Sequence, residues 1–369
     1  LRRKKRIAIL SGGGDCPGIN AVIRAVTKKA IIDYDMEVIG IQDGYEGLIH
    51  NHYRDLTFDD VSGILTVGGT ILGTSNTANP YHYVAGRGKR LNFTDVSGRA
   101  LDNIDRLNID CLVCIGGDGT LTIANLLHRD GVPAIGVPKT IDNDIQGTDI
   151  TFGFDSAVSI AAESIDRLHT TAQSHHRAMI VEVMGRNAGW IALYAGVASG
   201  GDIILIPEIP YDIEKVINRV KERGKRHKRF TIIVVAEGAK PRGGKAVVQR
   251  VVKSSPEPLR LGGIGFALGA EIEKLSGIET RTVVLGHLQR SGVPTPFDRV
   301  LATRLGSRAV DMIINKRFGY MVGVAGNSLI DVPLKVVAEG QRNIPASDPL
   351  IAAARSVGTC FGDHEMHIP

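Results

Sequence analysis

The sequence predicts an α/β protein built from two doubly wound, Rossmann-like domains with parallel-dominated sheets. Three observations lead there. At 369 residues the chain has room for two domains of the usual ~100–200 residues each. Short apolar runs alternate with segments of helical period along its length. Those runs are apolar on both faces, as strands of a sheet covered by helices on each side should be. With 43% hydrophobic and 22% charged residues, a packed core is expected rather than disorder.

The predicted strands are, in order, RIAIL (6–10), MEVIGI (36–41), CLVCI (111–115), PAIGV (133–137), AMIVEV (178–183), IILI (203–206), TIIVVA (231–236) and TVVLG (282–286). Helices lie between them. Ile19, Val22, Ile23, Val26 and Ala30 share one helical face after the first strand, and Val158, Ala161, Ala162, Ile165 and Leu168 share another before the fifth. The second series of strands starts near residue 178, which puts the hinge near 150. No internal repeat or low-complexity linker interrupts the pattern.

Bulk composition excludes several classes of function. A net charge of +5 over this length is too small to announce nucleic-acid binding, while leaving anionic small substrates open. No run reaches ~18 uncharged apolar residues, so no membrane partner and a cytoplasmic location are expected. Four cysteines do not make a disulfide scaffold. Cys111 and Cys114 spell C-x-x-C within a strand, where residues three apart face opposite ways, so a metal or redox pair is not expected. The outlier is glycine, 44 residues, with no collagen period, which calls for a geometric explanation at particular loops.

Ligands of such sheets gather beyond the carboxyl ends of the strands, so the loops there are the candidate sites. The first strand runs directly into Ser11-Gly12-Gly13-Gly14-Asp15-Cys16-Pro17-Gly18 and then a helix. Glycines let backbone N–H groups approach phosphate oxygens, and a helix N-terminus favours the anion. The third strand is followed by Gly116-Gly117-Asp118-Gly119-Thr120, where a carboxylate between glycines suits a Mg²⁺ ion bridging phosphates. Asp118 as a helix N-cap is compatible with the same placement. The fourth strand leads into Pro138-Lys139-Thr140-Ile141-Asp142-Asn143-Asp144, a density of functional groups that a solvated turn does not need. Asp142 can accept the proton of an attacking hydroxyl, and Lys139 can offset charge on a moving phosphoryl group.

Together SGGGDCPGIN, GGDGT, PKTIDND, Met184-Gly185-Arg186, Ala236-Glu237-Gly238 and Gly286-His287-Leu288-Gln289-Arg290, in this order over about residues 5–340, resemble the phosphofructokinase-A family. GGDGT alone also occurs in NAD kinases and diacylglycerol kinases, but these leave the other motifs without a role. The resemblance implies the phosphofructokinase fold and phosphoryl transfer to the 1-hydroxyl of fructose 6-phosphate. By motif position Asp142 matches the base, with Thr140 and Asp144 beside it, and Lys139 and Arg186 join the catalytic set. Gly13, Gly14, Gly117, Asp118, Gly119 and Thr120 match the donor site, with Asp118 as the Mg²⁺ ligand. Met184, Gly185, Arg186 and Glu237 match positions that hold the sugar, and Arg177, Arg281, His287 and Arg290 those that grip its 6-phosphate. Arg177 and Arg281 are of the type that reaches across a subunit boundary, implying a homodimer or homotetramer. A donor domain of residues 1–153 plus about 289–339 and a sugar domain of 154–288 plus about 340–369 are expected.

Donor identity is where the motifs diverge. Pyrophosphate-using members carry Asp at the position of Gly119 and Lys at that of Lys139, whereas nucleotide-using bacterial members usually carry Gly at both; this chain is mixed. Gly119 leaves room for an α-phosphate, so the expected order is ATP, then ADP, then pyrophosphate. Asn76 stands where the family commonly has an arginine, so Lys139 is expected to supply part of that charge. An effector-phosphate site from Arg24, Lys28, Asp202, Lys221, Arg223, Lys225, Arg226, Lys228 and Arg229 competes with a solvated helix end. Cys16 in the donor loop is read as a small packing residue ahead of an oxidation-sensitive thiol.

Overall fold

A computed structural model of the chain describes residues 3–85, 92–225, 230–252 and 258–364. The described residues divide into two compact units, the first of those up to 156 with 290–341, the second of those in 157–252 and 258–289 with 342–364. The boundary at 156/157 falls in the first turn of the helix Phe154–His175.

The first unit holds β1 (Arg6–Ser11), β2 (Glu37–Ile41), β3 (Tyr53–Asp55), a small hairpin of β4 (Tyr83–Ala85) and β5 (Asn92–Thr94), β6 (Cys111–Gly116) and β7 (Ala134–Pro138). The second holds β8 (Ala178–Val183), β9 (Ile203–Leu205), β10 (Thr231–Ala236), a hairpin of β11 (Val248–Val251) and β12 (Leu259–Leu261), and β13 (Thr280–Val284). The chain then returns to the first unit with β14 (Tyr320–Ala325) and β15 (Ser328–Pro333).

The first sheet has seven strands in the order β15-β14-β7-β6-β1-β2-β3. It is parallel except at its two ends, where β3 and β15 pair antiparallel with β2 and β14. The chain leaves β1 for β2 on one side and finds β6 on the other, so the strand order reverses between β1 and β6. The second sheet, β13-β8-β10-β9, is wholly parallel.

The predicted face of the helix Ile19–Tyr34 is completely buried at Ile19, Val22, Ile23, Val26 and Ala30. The other predicted face needs correction: the buried stripe of Phe154–His175 runs through Ala157, Ala161, Ile165 and Ala172, with Val158, Ala162 and Leu168 only half-buried. Small side chains at Ala157, Ala161 and Ala172 allow close packing along that stripe, with Val158 and Leu168 at its borders. The last predicted strand is also displaced. β13 starts at Thr280 and is an edge strand with Arg281 and Val284 exposed, so it lacks the two apolar faces of its neighbours.

One buried charge in the second core has a structural reason. Glu182, next to the last residue of β8 and 2% exposed, accepts N–H groups of Gly263 (2.9 Å) and Gly265 (2.9 Å) at the start of the helix Ile264–Ser276. Its N-cap, Gly263, has no side chain to offer, and the strand's carboxylate takes over the task. Residues beyond Arg342 complete this unit. Ile344, Ile351, Ala354, Cys360 and Phe361 are buried, and Cys360 pairs with Ile203 along the edge of β9.

Candidate active site

In the first unit the three glycine- and aspartate-bearing loops leave the carboxyl ends of β1, β6 and β7, side by side at the reversal of strand order. The Gly12 N–H donates to Ile115 at 2.9 Å, tying the first loop to the second. Thr120 packs beneath both: a Cβ on Gly116 would lie 2.2 Å from the Thr120 Cβ, so only glycine fits there. Thr120 is thereby buried, its carbonyl accepting the Tyr45 hydroxyl at 2.8 Å.

Gly117 is the N-cap of the helix Asp118–Arg129, so Asp118 is its first helical residue rather than the cap. One oxygen of Asp118 accepts the Gly119 N–H at 2.7 Å, and the other accepts the Gln341 amide at 3.1 Å. A Cβ on Gly119 would meet nothing within 4 Å, so the space in front of it is open.

In the third loop the Thr140 hydroxyl accepts the Asp142 N–H at 3.1 Å and donates to Asp144 at 3.3 Å. Asn143 adopts a left-handed φ of 52° and accepts the Thr151 N–H at 3.0 Å, fixing the bend between the two aspartates. Burial, reinforced by the charges of Asp142 and Asp118, raises the Asp144 carboxyl to about 8. Lys139 is 3% exposed, with its ammonium on the Gly14 carbonyl; burial lowers its pKa.

Among the described residues no group of three or more His, Cys, Asp or Glu is arranged to hold a metal unaided. Asp118, a single carboxylate in the first turn of its helix beside the open space at Gly119, has the donor chemistry that fits a Mg²⁺ ion shared with substrate phosphates.

In the second unit, Met184-Gly185-Arg186 follows β8, Glu237-Gly238 follows β10 and Gly286–Arg290 begins just beyond β13, on adjacent strands. The Gly238 N–H donates to Gly185 at 3.1 Å. A Cβ on Gly238 would fall 1.9 Å from the Arg186 carbonyl oxygen, so the two loops touch through backbone. Wholly buried Gln289 accepts the Met184 N–H at 3.3 Å and donates to Gly286 at 3.0 Å, joining the third loop to the first. Arg186 donates to the Leu259 carbonyl at 2.8 Å, and His287 is exposed. Arg177 and Arg281 share one carboxylate: Glu279 pairs with Arg177 at 2.6 Å and also with Arg281. The Arg177 bond above all holds the Glu279 carboxyl below its ordinary range.

Thus Met184, Gly185, Arg186 and Glu237 come together, as do Arg177 and Arg281. Arg290 belongs to the first unit, its guanidinium donating to the Asp15 carbonyl at 3.1 Å. Cys16 is fully buried with its thiol pushed up to about 12 by burial, which removes the thiolate that oxidation requires. Cys111 and Cys114 are buried free cysteines. Of the expected effector cluster, Arg223 is paired with Asp202 at 2.6 Å and Lys28 donates to Ser62 at 3.1 Å. Arg226, Lys228, Arg229 and the Lys225 side chain lie outside the described residues.

Sequence reasoning missed Gln341, Glu279 and the anchoring role of Gln289. The first two carry no motif. Gln289 stands inside GHLQR, where its neighbours drew the attention.

Comparison with known proteins gives the family. A family model described as phosphofructokinase matches residues 6–313. ATP-dependent 6-phosphofructokinase 2 of Clostridium perfringens is 52% identical over 361 residues, covering 97% of this chain and 99% of the relative. A pyrophosphate--fructose 6-phosphate 1-phosphotransferase of Amycolatopsis methanolica is 48% identical over 340 residues, covering 92% and 96%. A crystal structure of Pichia pastoris phosphofructokinase in the T-state superimposes with a TM-score of 0.76 at 32% identity; it covers 97% of this chain, which spans only 37% of that longer one. Among the described residues no helix is long and apolar enough to cross a membrane. With three glycine- and aspartate-bearing loops at the sheet's reversal point and relatives matching at half identity along nearly the whole length, the chain belongs to the phosphofructokinase family.

Proposed function

We propose that the chain is a glycolytic 6-phosphofructokinase of the cytoplasm, transferring a phosphoryl group from ATP to the 1-hydroxyl of fructose 6-phosphate to give fructose 1,6-bisphosphate. The observation that carries this reading is the third loop, where Asp142, Asp144 and Lys139 surround Thr140 next to the glycine loops. In this reading Asp142 takes the proton of the 1-hydroxyl, and Thr140 keeps Asp142 and Asp144 in register. Lys139 and Arg186 offset charge on the moving group. Gly13, Gly14, Gly117, Gly119 and Thr120 form the donor site, and Asp118 holds Mg²⁺, which neutralises and orients the donor phosphates when bound.

The second unit is the sugar-phosphate half. Met184, Gly185, Arg186 and Glu237 receive the sugar, and Arg177, Arg281 and His287, with Arg290, receive its 6-phosphate. Arg177 and Arg281 act across the interface of a homodimer or homotetramer. Glu279 then stands in for that phosphate by holding both guanidiniums.

ATP is favoured because the space in front of Gly119 is open, which leaves room for an α-phosphate. A pyrophosphate donor is the second reading, supported by Lys139 and by a pyrophosphate-named relative at 48% identity. A non-catalytic homologue is disfavoured because Asp118, Asp142 and the arginines are all present. Steady-state assays with ATP, ADP and pyrophosphate, each with Mg²⁺, test the proposal. ATP is expected to give the highest kcat/KM, and Asp142→Asn to cut kcat by roughly 10²–10⁴ with little change in sugar KM. Turnover with pyrophosphate alone would overturn the donor assignment, and no turnover with any donor would overturn the function.

A further inference from the structure

The donor loop has an unusual arrangement of carbonyls. Three successive ones are each held by a side chain from a distant segment: Gly13 by the Thr74 hydroxyl at 2.6 Å, Gly14 by the Lys139 ammonium, and Asp15 by the Arg290 guanidinium at 3.1 Å. A loop that takes up phosphates through its N–H groups has to keep its carbonyl oxygens, the negative ends of the same peptide dipoles, away from the anion. Anchoring each carbonyl to a donor on the protein side achieves this. Among the described residues, the N–H groups of Gly14, Asp15 and Cys16 donate to no protein acceptor. Two of the three anchors are cations, so they also place positive charge against the loop, whereas exposed Asn76 brings none.

We propose that Arg290 is a positioning residue for the phosphoryl donor, acting with Lys139 and Thr74 to hold the carbonyls of residues 13–15 away from the donor phosphates. Its place is set by packing as well as by the hydrogen bond: the guanidinium lies over Gly14, where a Cβ would come 2.9 Å from Nη1. One N–H on Asp15 leaves the remaining guanidinium donors available, so contact with a sugar phosphate is compatible with this task. The assignment deepens the phosphofructokinase reading and rests on it.

The test is calorimetric titration of the intact protein with MgATP, and with magnesium pyrophosphate, in the absence of any sugar phosphate. Arg290→Ala is expected to weaken binding of the preferred donor by about tenfold or more, as loss of a charge-assisted bond should. Arg290→Lys should fall between Arg290→Ala and the unaltered protein. Thr74→Val, which removes a neighbouring anchor and no charge, should shift donor affinity in the same direction by a smaller factor. Donor affinities within twofold of the unaltered protein in both Arg290→Ala and Thr74→Val, with only the fructose 6-phosphate KM raised in Arg290→Ala, would overturn the proposal. An unaltered protein that binds neither donor and turns over no fructose 6-phosphate would instead remove the functional reading beneath it.

Discussion

Asp144 shows how one residue's surroundings convert into a measurable pH response. Burial and the neighbouring charges of Asp142 and Asp118 raise its carboxyl to about 8, whereas an unfolded aspartate titrates at about 3.9. Between those values the folded chain holds a proton that the unfolded chain has released. The stability linked to this group is therefore complete below about pH 4 and lost as pH rises toward about 8. Asp144→Asn carries no such charge. Its melting temperature should gain on that of the unaltered protein between about pH 5 and pH 8.5, by roughly 3 °C or more. Scanning calorimetry across that range checks it, and parallel pH profiles would remove the assignment. The sequence showed Asp144 as one of two aspartates in a dense loop; that its charge would be the one suppressed depends on burial, which the loop's residues alone do not reveal. Glu279 marks the same limit from the other side. It precedes Arg281 by two positions, just ahead of β13, and only the fold brings Arg177, 102 residues away, onto the same carboxylate.

Among elements, the interior strands were the most legible. β1, β6, β8 and β10 are apolar on both faces and buried along most of their length, so composition and burial coincide. Edge strands open to solvent were less legible by the same rule, whereas β9, an edge strand buried throughout, reads clearly. β13 is exposed at Arg281 and Val284, and β15 alternates exposed and half-buried positions from Ser328 to Asp331, because one side of an edge strand meets solvent. β14 is as long as the interior strands and buried at its centre, and it pairs antiparallel with β15 after a tight turn. A second hidden device is Glu182, which looks like an error in an apolar strand until its hydrogen bonds to the helix Ile264–Ser276 are seen. Glu182→Ala removes a carboxylate from buried N–H donors, which should cost about 2–4 kcal/mol. A urea midpoint lowered accordingly, with Glu182→Gln losing less, is the expected result. Unchanged midpoints would mean that the helix start is held by other contacts.

At the scale of the whole molecule, the motifs revealed chemistry better than connectivity. In the proposed function SGGGD, GGDGT and PKTIDND are the donor loops, and they stand out in the sequence because phosphate binding would constrain several neighbouring residues at once. The segment from 342 to 364 has no such signature, yet it supplies Ile344, Ile351, Ala354 and Phe361 to the second core and lays Cys360 along β9. Buried Arg219 binds it through the Gly358 carbonyl at 2.7 Å, and Glu208 accepts the Ile344 N–H at 3.0 Å. Truncation after Arg342 should leave the second unit without a closed core. Rapid cleavage of that unit in limited proteolysis, with loss of the cooperative melt, is expected, and retention of both would contradict this account.

Both units close with late segments, 290–341 for the first and residues beyond 342 for the second. A nascent chain still on the ribosome at residue 289 has made β1, β6, β7 and every strand of the second sheet, but neither β14 nor the segment beside β9. Folding of each unit as it emerges is therefore interrupted, and the open edges of β7 and β9 must be sheltered for the time needed to translate the remainder. At roughly 5–20 residues per second that is several seconds of exposure. The interleaved chain path thus makes biosynthesis itself, rather than the finished protein, the stage at which misassembly is most easily caused.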